Sequence, residues 1–295
     1  MDLLNDQLKG LLTNLSFLTK SSLSRSECKP TYFDNKTIPP NQRAFLDRAL
    51  TSYLQTHGSA VVIGDEINAI NSMINTLALF LSPTERELCS HAVQGGTYIP
   101  DLMIQGVVYE ESFDRNQVIR SLLPTTIIDV KQNLIQKTNH HQHGRLLYKS
   151  HLLNKLGLGD YTTDSKPPET PSEFEASKEL FYVVKEHSPL IHSMLSEILI
   201  LPPSLREGMI LHCRRLLIRK AVILIRHIEG SIKVNKKNTL STPSLRQIKQ
   251  NLRLNNADDF SVILAIAEKV SPGINKYVNT GIQQIEERFY NMWVY

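Results

Sequence analysis

Residues 58–64 read Gly-Ser-Ala-Val-Val-Ile-Gly. A short β-branched run closed at both ends by glycine is the pattern of a strand buried on both faces. Before it, Phe45, Leu46, Ala49, Leu50, Tyr53 and Leu54 recur at helical spacing. After it, Ile67, Ile70, Ile74, Leu77 and Leu81 form a second helical stripe, for which Asp65 is the expected N-cap. Ser82, Pro83 and Glu85 then have the order of a capping box with proline at the first helical position. Two more strand-like runs follow, 102–109 and 124–130. Helices and strands in this alternation predict a small α/β layer, with its sheet either wholly parallel or mixed.

Outward from that block the composition changes. Residues 19–42 are rich in Ser, Lys and Pro and read as a linker. Ahead of them Leu4, Leu8, Leu11, Leu15 and Leu18 share one helical face, so 1–42 is an amphipathic segment followed by a linker. Residues 157–178, with three prolines and several acids, read as a long exposed loop. Beyond it the pattern is helical, with helices expected near 179–200, 204–231, 244–254 and 258–270. Asp258 is the expected cap of the last, and Pro272-Gly273 its terminator. The expected organisation is therefore 1–42, an α/β subdomain over 43–156, a loop over 157–178, and an all-helical subdomain over 179–295.

The chain of 295 residues carries a net charge of +4, which allows an anionic partner but does not require one. Its three cysteines, Cys28, Cys89 and Cys213, are far apart and form no CxxC pair, which argues against a disulfide framework or a zinc site and for a reducing compartment. Cys213 lies in an apolar helical run and reads as core filler. No apolar run approaches the ~18 residues of a membrane span. The leucine-rich start lacks a dense basic face, so it reads as a docking helix, with peripheral membrane contact left open.

Signatures of chemistry are sparse. There is no phosphate-binding glycine loop, no HExxH and no GxSxG, so no catalytic residue, cofactor or self-contained active site is assigned. His140, His141, His143 and His151 are the nearest approach to a metal site, but Thr138, Asn139 and Gly144 mark a solvated loop and no metal is assigned. The segment 204–230 is more informative. Ile210, Cys213, Leu217, Ala221, Leu224 and Ile228 make a core stripe, while Arg215, Arg219 and Arg226 line another face, with Val222 among them. Such arginines can be a solvated face whose stems cover apolar surface. They can also engage an acidic partner, and they are the candidate partner-binding residues. Nucleic acid is not expected, because no aromatic residues interleave with them.

Six segments taken in order resemble a known family: LTSYLQTHGSAVVIG (50–64), INTLALFLSPTERELC (74–89), LPTTIIDV (123–130), LLIRKAVILIRHIEG (216–230), SLRQIKQNLRL (244–254) and LAIAEKVSPGI (264–274). They are similar to the C-terminal DENN portion of the family of the human chromosome nine open reading frame seventy-two protein. The resemblance implies a DENN domain: an α/β subdomain followed by a helical one. It further implies work in a complex with a second DENN-type protein and a WD40-repeat protein, acting on small GTPases of the Rab or Arf kind. The cellular setting it implies is cytoplasmic, with recruitment to endosomes, lysosomes or autophagosomes. The family's GTPase-activating arginine belongs to the partner, so no catalytic residue carries over. Residues 1–42 read as too short and irregular for the family's N-terminal longin domain. The leading expectation is a regulatory subunit of a GTPase-directed complex. Direct guanine-nucleotide exchange on a Rab and a helical adaptor for anionic surfaces are the alternatives.

Overall fold

The computed structural model describes residues 28–100, 102–108, 118, 121, 124–138, 181–235, 245–254, 256–275 and 278. The leucine-rich start, the histidine cluster and the 157–178 stretch lie outside the described residues. The chain divides into two compact units, Met1–Glu186 and His187–Tyr295.

In the first unit, helix α1 (Pro40–Gln55) leads into strand β1 (Ala60–Gly64), and helix α2 (Ile67–Ala78) follows. A one-turn helix α3 (Pro83–Arg86) and strand β2 (Cys89–Ser90) come next, then β3 (Ile104–Val108), β4 (Thr126–Asp129), β5 (Leu134–Thr138) and β6 (Phe181–Val183). The strands form one six-stranded sheet in the order β2-β3-β1-β4-β5-β6. The sheet is mixed. β2, β3, β1 and β4 run parallel, with Ala60 opposite both Ile104 and Thr126, while β5 and β6 are antiparallel additions. Every residue of β1 is buried, as a central strand with both faces covered requires. The fold class is α/β, and the arrangement is consistent with the DENN-like fold that the resemblance implies.

Thr126 and Gly106 belong to the face covered by α1 and α2. The opposite face carries a core of Val61, Ile63, Val107, Val118, Ile127 and Phe181, with half-buried Tyr98 against it. Gly106 is needed for the first packing. A Cβ there would lie 2.7 Å from the backbone N of Ala92 and 2.7 Å from Ile74 Cδ1, so only glycine lets β3 approach both α2 and the segment after β2.

Several boundaries differ from expectation. The linker reading of 19–42 does not hold for its described part. Tyr32–Asp34 is a 3₁₀ turn with buried Phe33, the Tyr32 N–H donates to Thr76 Oγ1 at 2.9 Å, and α1 already begins at Pro40. Asp65 does not cap α2, whose N-cap is Glu66. Its carboxylate is instead ion-paired with Lys131, a partner that local sequence cannot reveal. The capping box at Ser82 is present, with the Ser82 N–H donating to Glu85 Oε2 at 2.7 Å and the Glu85 N–H to Ser82 Oγ at 3.3 Å.

In the second unit, α4 (Pro189–Ile200), α5 (Pro203–Asn235), α6 (Leu245–Asn251) and α7 (Ala257–Val270) follow one another, and α5 packs on α4 and α7. The helix expected near 179–200 starts at Pro189, because Phe181–Val183 pairs with β5 instead. The cap of α7 is Asn256, whose Oδ1 accepts from the Asp258 N–H at 2.9 Å; Asp258 itself lies inside the first turn. Gly273, at φ 94°, follows the helix end, and Glu268 accepts from the Gly273 and Asn275 N–H groups at 2.7 and 2.8 Å.

Candidate functional site

In open α/β sheets a small ligand sits beyond the carboxyl ends of parallel strands, where adjacent connections part in opposite directions. Here that point lies between β1 and β4. Gly64 fits closely against Val130, since a Cβ on it would fall 2.5 Å from Val130 Cγ2. Asp129 Oδ1 accepts from the Lys131 and Gln132 N–H groups at 3.0 and 2.9 Å, which ties the carboxylate into its own turn. Lys131 holds Asp65. The charged groups at this position are engaged with one another in closing the β4–β5 turn.

The opposite ends of β1 and β4 carry a hydroxyl network. Thr126 Oγ1 lies 2.9 Å from Ser52 Oγ and 2.8 Å from Thr56 Oγ1. Ser59 Oγ is 3.1 Å from Thr125 Oγ1, and the Thr125 N–H donates to Thr138 Oγ1 at 2.8 Å. Beside it, buried Lys137 donates to Gln55 and sits 5.2 Å from the centroid of the Tyr182 ring. These groups satisfy one another around the end of α1, and the network is architectural.

Two side-chain amides hold the segment that follows β2. Asn71 from α2 accepts from the Ala92 N–H at 2.8 Å and donates back to Ala92 O at 3.4 Å. Gln105 from β3 accepts from the Ile99 N–H at 2.8 Å and donates to Ile99 O at 2.7 Å. Asn75 Oδ1 lies 2.7 Å from His91 Nε2. The exposed tip Val93-Gln94-Gly95 is thus presented from anchored ends. Sequence reading missed these anchors, because nothing local distinguishes an amide that clamps a distant backbone from one that is solvated.

The candidate partner-binding residues lie on α5. Ile210, Cys213, Leu217, Ala221, Leu224 and Ile228 are all buried, as the stripe predicts. Burial, with the nearby charge of Glu197, pushes the Cys213 thiol up to about 11, which suits core filling and not nucleophilic chemistry. Arg215, Arg219 and Arg226 are exposed on the outward face, and Val222 is half-buried among them. Three further side chains join that face, Leu211, Ile218 and Ile223, at 40%, 38% and 49% exposure. Other cations of this unit serve helix ends. Buried Arg206 donates to Leu201 O at 2.8 Å and Leu199 O at 3.2 Å, closing α4, and Lys220 donates to Leu252 O at 3.2 Å after α6.

A mixed α/β sheet unit joined to a helical unit defines the class, and comparison with known proteins narrows it. Residues 2–143 match the model of the C9orf72-like protein family. "Guanine nucleotide exchange factor C9orf72" of Homo sapiens is 30% identical over 249 residues, and the proteins named "Guanine nucleotide exchange factor C9orf72 homolog" of Mus musculus and Rattus norvegicus match to the same extent. Each alignment covers 79% of this chain and 51% of the relative, so the chain spans about half the length of the curated relatives it matches. The chain belongs to the C9orf72-like family. The family match runs from the leucine-rich start through β5, and the arginine face of α5 lies beyond it.

Proposed function

We propose that this chain is a regulatory subunit of a complex that acts on small GTPases. The observation that carries the reading is its relation to proteins named as guanine nucleotide exchange factors, across most of its own length. Regulation of a GTPase by contact needs no covalent chemistry, only surfaces that hold the switch regions or open the nucleotide site. A chain without catalytic signatures can therefore take part. In this reading the partners are a second DENN-type protein, a WD40-repeat protein and a GTPase of the Rab or Arf kind. The setting is cytoplasmic, with recruitment to endosomes, lysosomes or autophagosomes in trafficking and autophagy.

The name of the relatives favours a second reading, direct nucleotide exchange by this chain alone. One assay separates the two: release of a fluorescent GDP analogue from Rab and Arf proteins, with GTP hydrolysis followed in parallel. A subunit alone leaves both rates near basal. Accelerated GDP release by the isolated chain overturns the subunit reading in favour of exchange. Accelerated hydrolysis by the chain alone overturns both, since an activating arginine is worth ~10³ to 10⁵ in rate and none is assigned here.

A further inference from the structure

We infer that the outward face of α5 is a docking seam for an acidic amphipathic helix of a partner protein. Leu211, Arg215, Ile218 and Val222 follow one another at steps of four, three and four residues along one line of the helix. Steps of three and four make the ridge on which a second helix packs at a shallow crossing angle of about 20°. The line is directed away from the buried stripe of Cys213, Leu217 and Leu224. Single exposed aliphatic side chains are ordinary on any surface. Here Leu211 and Ile218 bracket Arg215, and Arg219 and Arg226 flank the same line on one side.

The arginines are available for a partner. Among the described residues none of the three has a hydrogen-bond or ion-pair partner. Neither Arg215 nor Arg219 has an acidic residue three or four positions away along α5, and Arg226 has only Glu229. This contrasts with Arg206 and Lys220 of the same helix, which are committed to helix ends. A flank of three exposed cations beside a narrow apolar line is complementary to a helix with leucine-type residues on its seam and carboxylates along one edge. A second copy of this chain is a poor occupant, because self-pairing of the seam sets arginine against arginine. A lipid surface is also poorly matched, since the face offers three exposed aliphatic side chains, Leu211, Ile218 and Ile223, and no exposed aromatic residue for insertion.

The inference rests on the subunit reading for its biological role, but its geometry is tested separately. Two synthetic helical peptides with the same leucine seam, one edged with glutamate and one with lysine, are titrated against the full chain at physiological salt. The glutamate-edged peptide is expected to bind about tenfold or more tightly, the size of three exposed ion pairs together. Arg215→Glu with Arg219→Glu and Arg226→Glu should reverse the preference, and Leu211→Ser with Ile218→Ser should weaken both peptides. Equal binding of the two peptides by the unaltered chain, or binding of neither, overturns the inference even if the charge-reversed variant fails to fold. Stronger capture by phosphatidylserine-containing vesicles than by either peptide also overturns it, in favour of a membrane surface. Peptide discrimination by a chain that accelerates GDP release on its own leaves the seam intact and sinks the subunit reading. Absence of discrimination with both GTPase rates near basal does the opposite.

Discussion

The two units use their polar groups in opposite directions. In the sheet unit Ser52, Thr56, Ser59, Thr125, Thr126 and Thr138 turn inward and tie α1 to the ends of β1, β4 and β5. Among the described residues of the helical unit the fully buried polar side chains sit near helix ends, as with Arg206 and the pairing of Asp259 with Ser188. There the remaining charge is displayed outward on α5. The difference follows from the architectures. A mixed sheet has to satisfy strand ends and crossovers inside the layer, whereas a helix satisfies its own backbone and leaves only its termini to be closed. The sheet unit is thus specified by tertiary partners, and the helical unit has surface to spare for another molecule.

The largest expected departure lies in the sheet. Gly106→Val puts two methyl groups where even a Cβ meets backbone, at 2.7 Å from the Ala92 N. Overpacking against main chain should cost about 3 kcal/mol or more. Hydrogen exchange should rise in β1 and β3 while α5 and α7 keep their protection. Equal loss in both units would break the contrast. The next effect belongs to the helical unit. Asp259 accepts from Ser188 Oγ and, at 3.0 Å, from the Leu190 N–H, so one carboxylate in the first turn of α7 caps α4. Asp259→Ala should cost about 2 kcal/mol through lost capping and stranded donors, with increased exchange confined to α4 and α7. Asp259→Asn, which keeps an acceptor oxygen, should recover much of that loss. The smallest effect is expected where charge is displayed outward. Arg215→Gln with Arg219→Gln and Arg226→Gln should change stability in urea by only about 0.5 kcal/mol, because exposed cations without partners contribute little to folding. A loss of several kcal/mol would mean that the arginine stems are part of the packing and would blur the distinction between the units.

How much could be read in advance follows the same division. β1, β3 and β4 are legible because strands buried on both faces are short apolar runs whatever surrounds them. β2 has two residues, and β5 reads Leu-Ile-Gln-Lys-Thr, a polar run that becomes a strand because Ile135 meets Ile128 and Lys137 meets Thr126. Phe181–Val183 was absorbed into an expected helix, since its apolar residues fit either period and only pairing with β5 decides between them. The caps assigned to Asp65 and Asp258 failed for different reasons, a distant lysine in one case and a neighbouring asparagine in the other. On α5 the buried stripe and the arginine line were both legible from spacing. That Leu211 and Ile218 stand exposed beside those arginines was not, because periodicity says which side faces the core and not how much of the other side remains uncovered.

The position of β1 between β3 and β4 has a consequence for how the chain is made. β1 is synthesised before both of its neighbours, and Ala60 waits for Ile104 and then for Thr126 to emerge. At ordinary translation rates the second partner arrives roughly 3 to 13 s after the first strand. Throughout that interval the nascent polypeptide carries an Ala-Val-Val-Ile segment with both hydrogen-bonding edges open, the kind of segment that recruits neighbouring chains on a polysome. The same centrality that shelters β1 in the finished protein makes it the segment most in need of a chaperone on the ribosome.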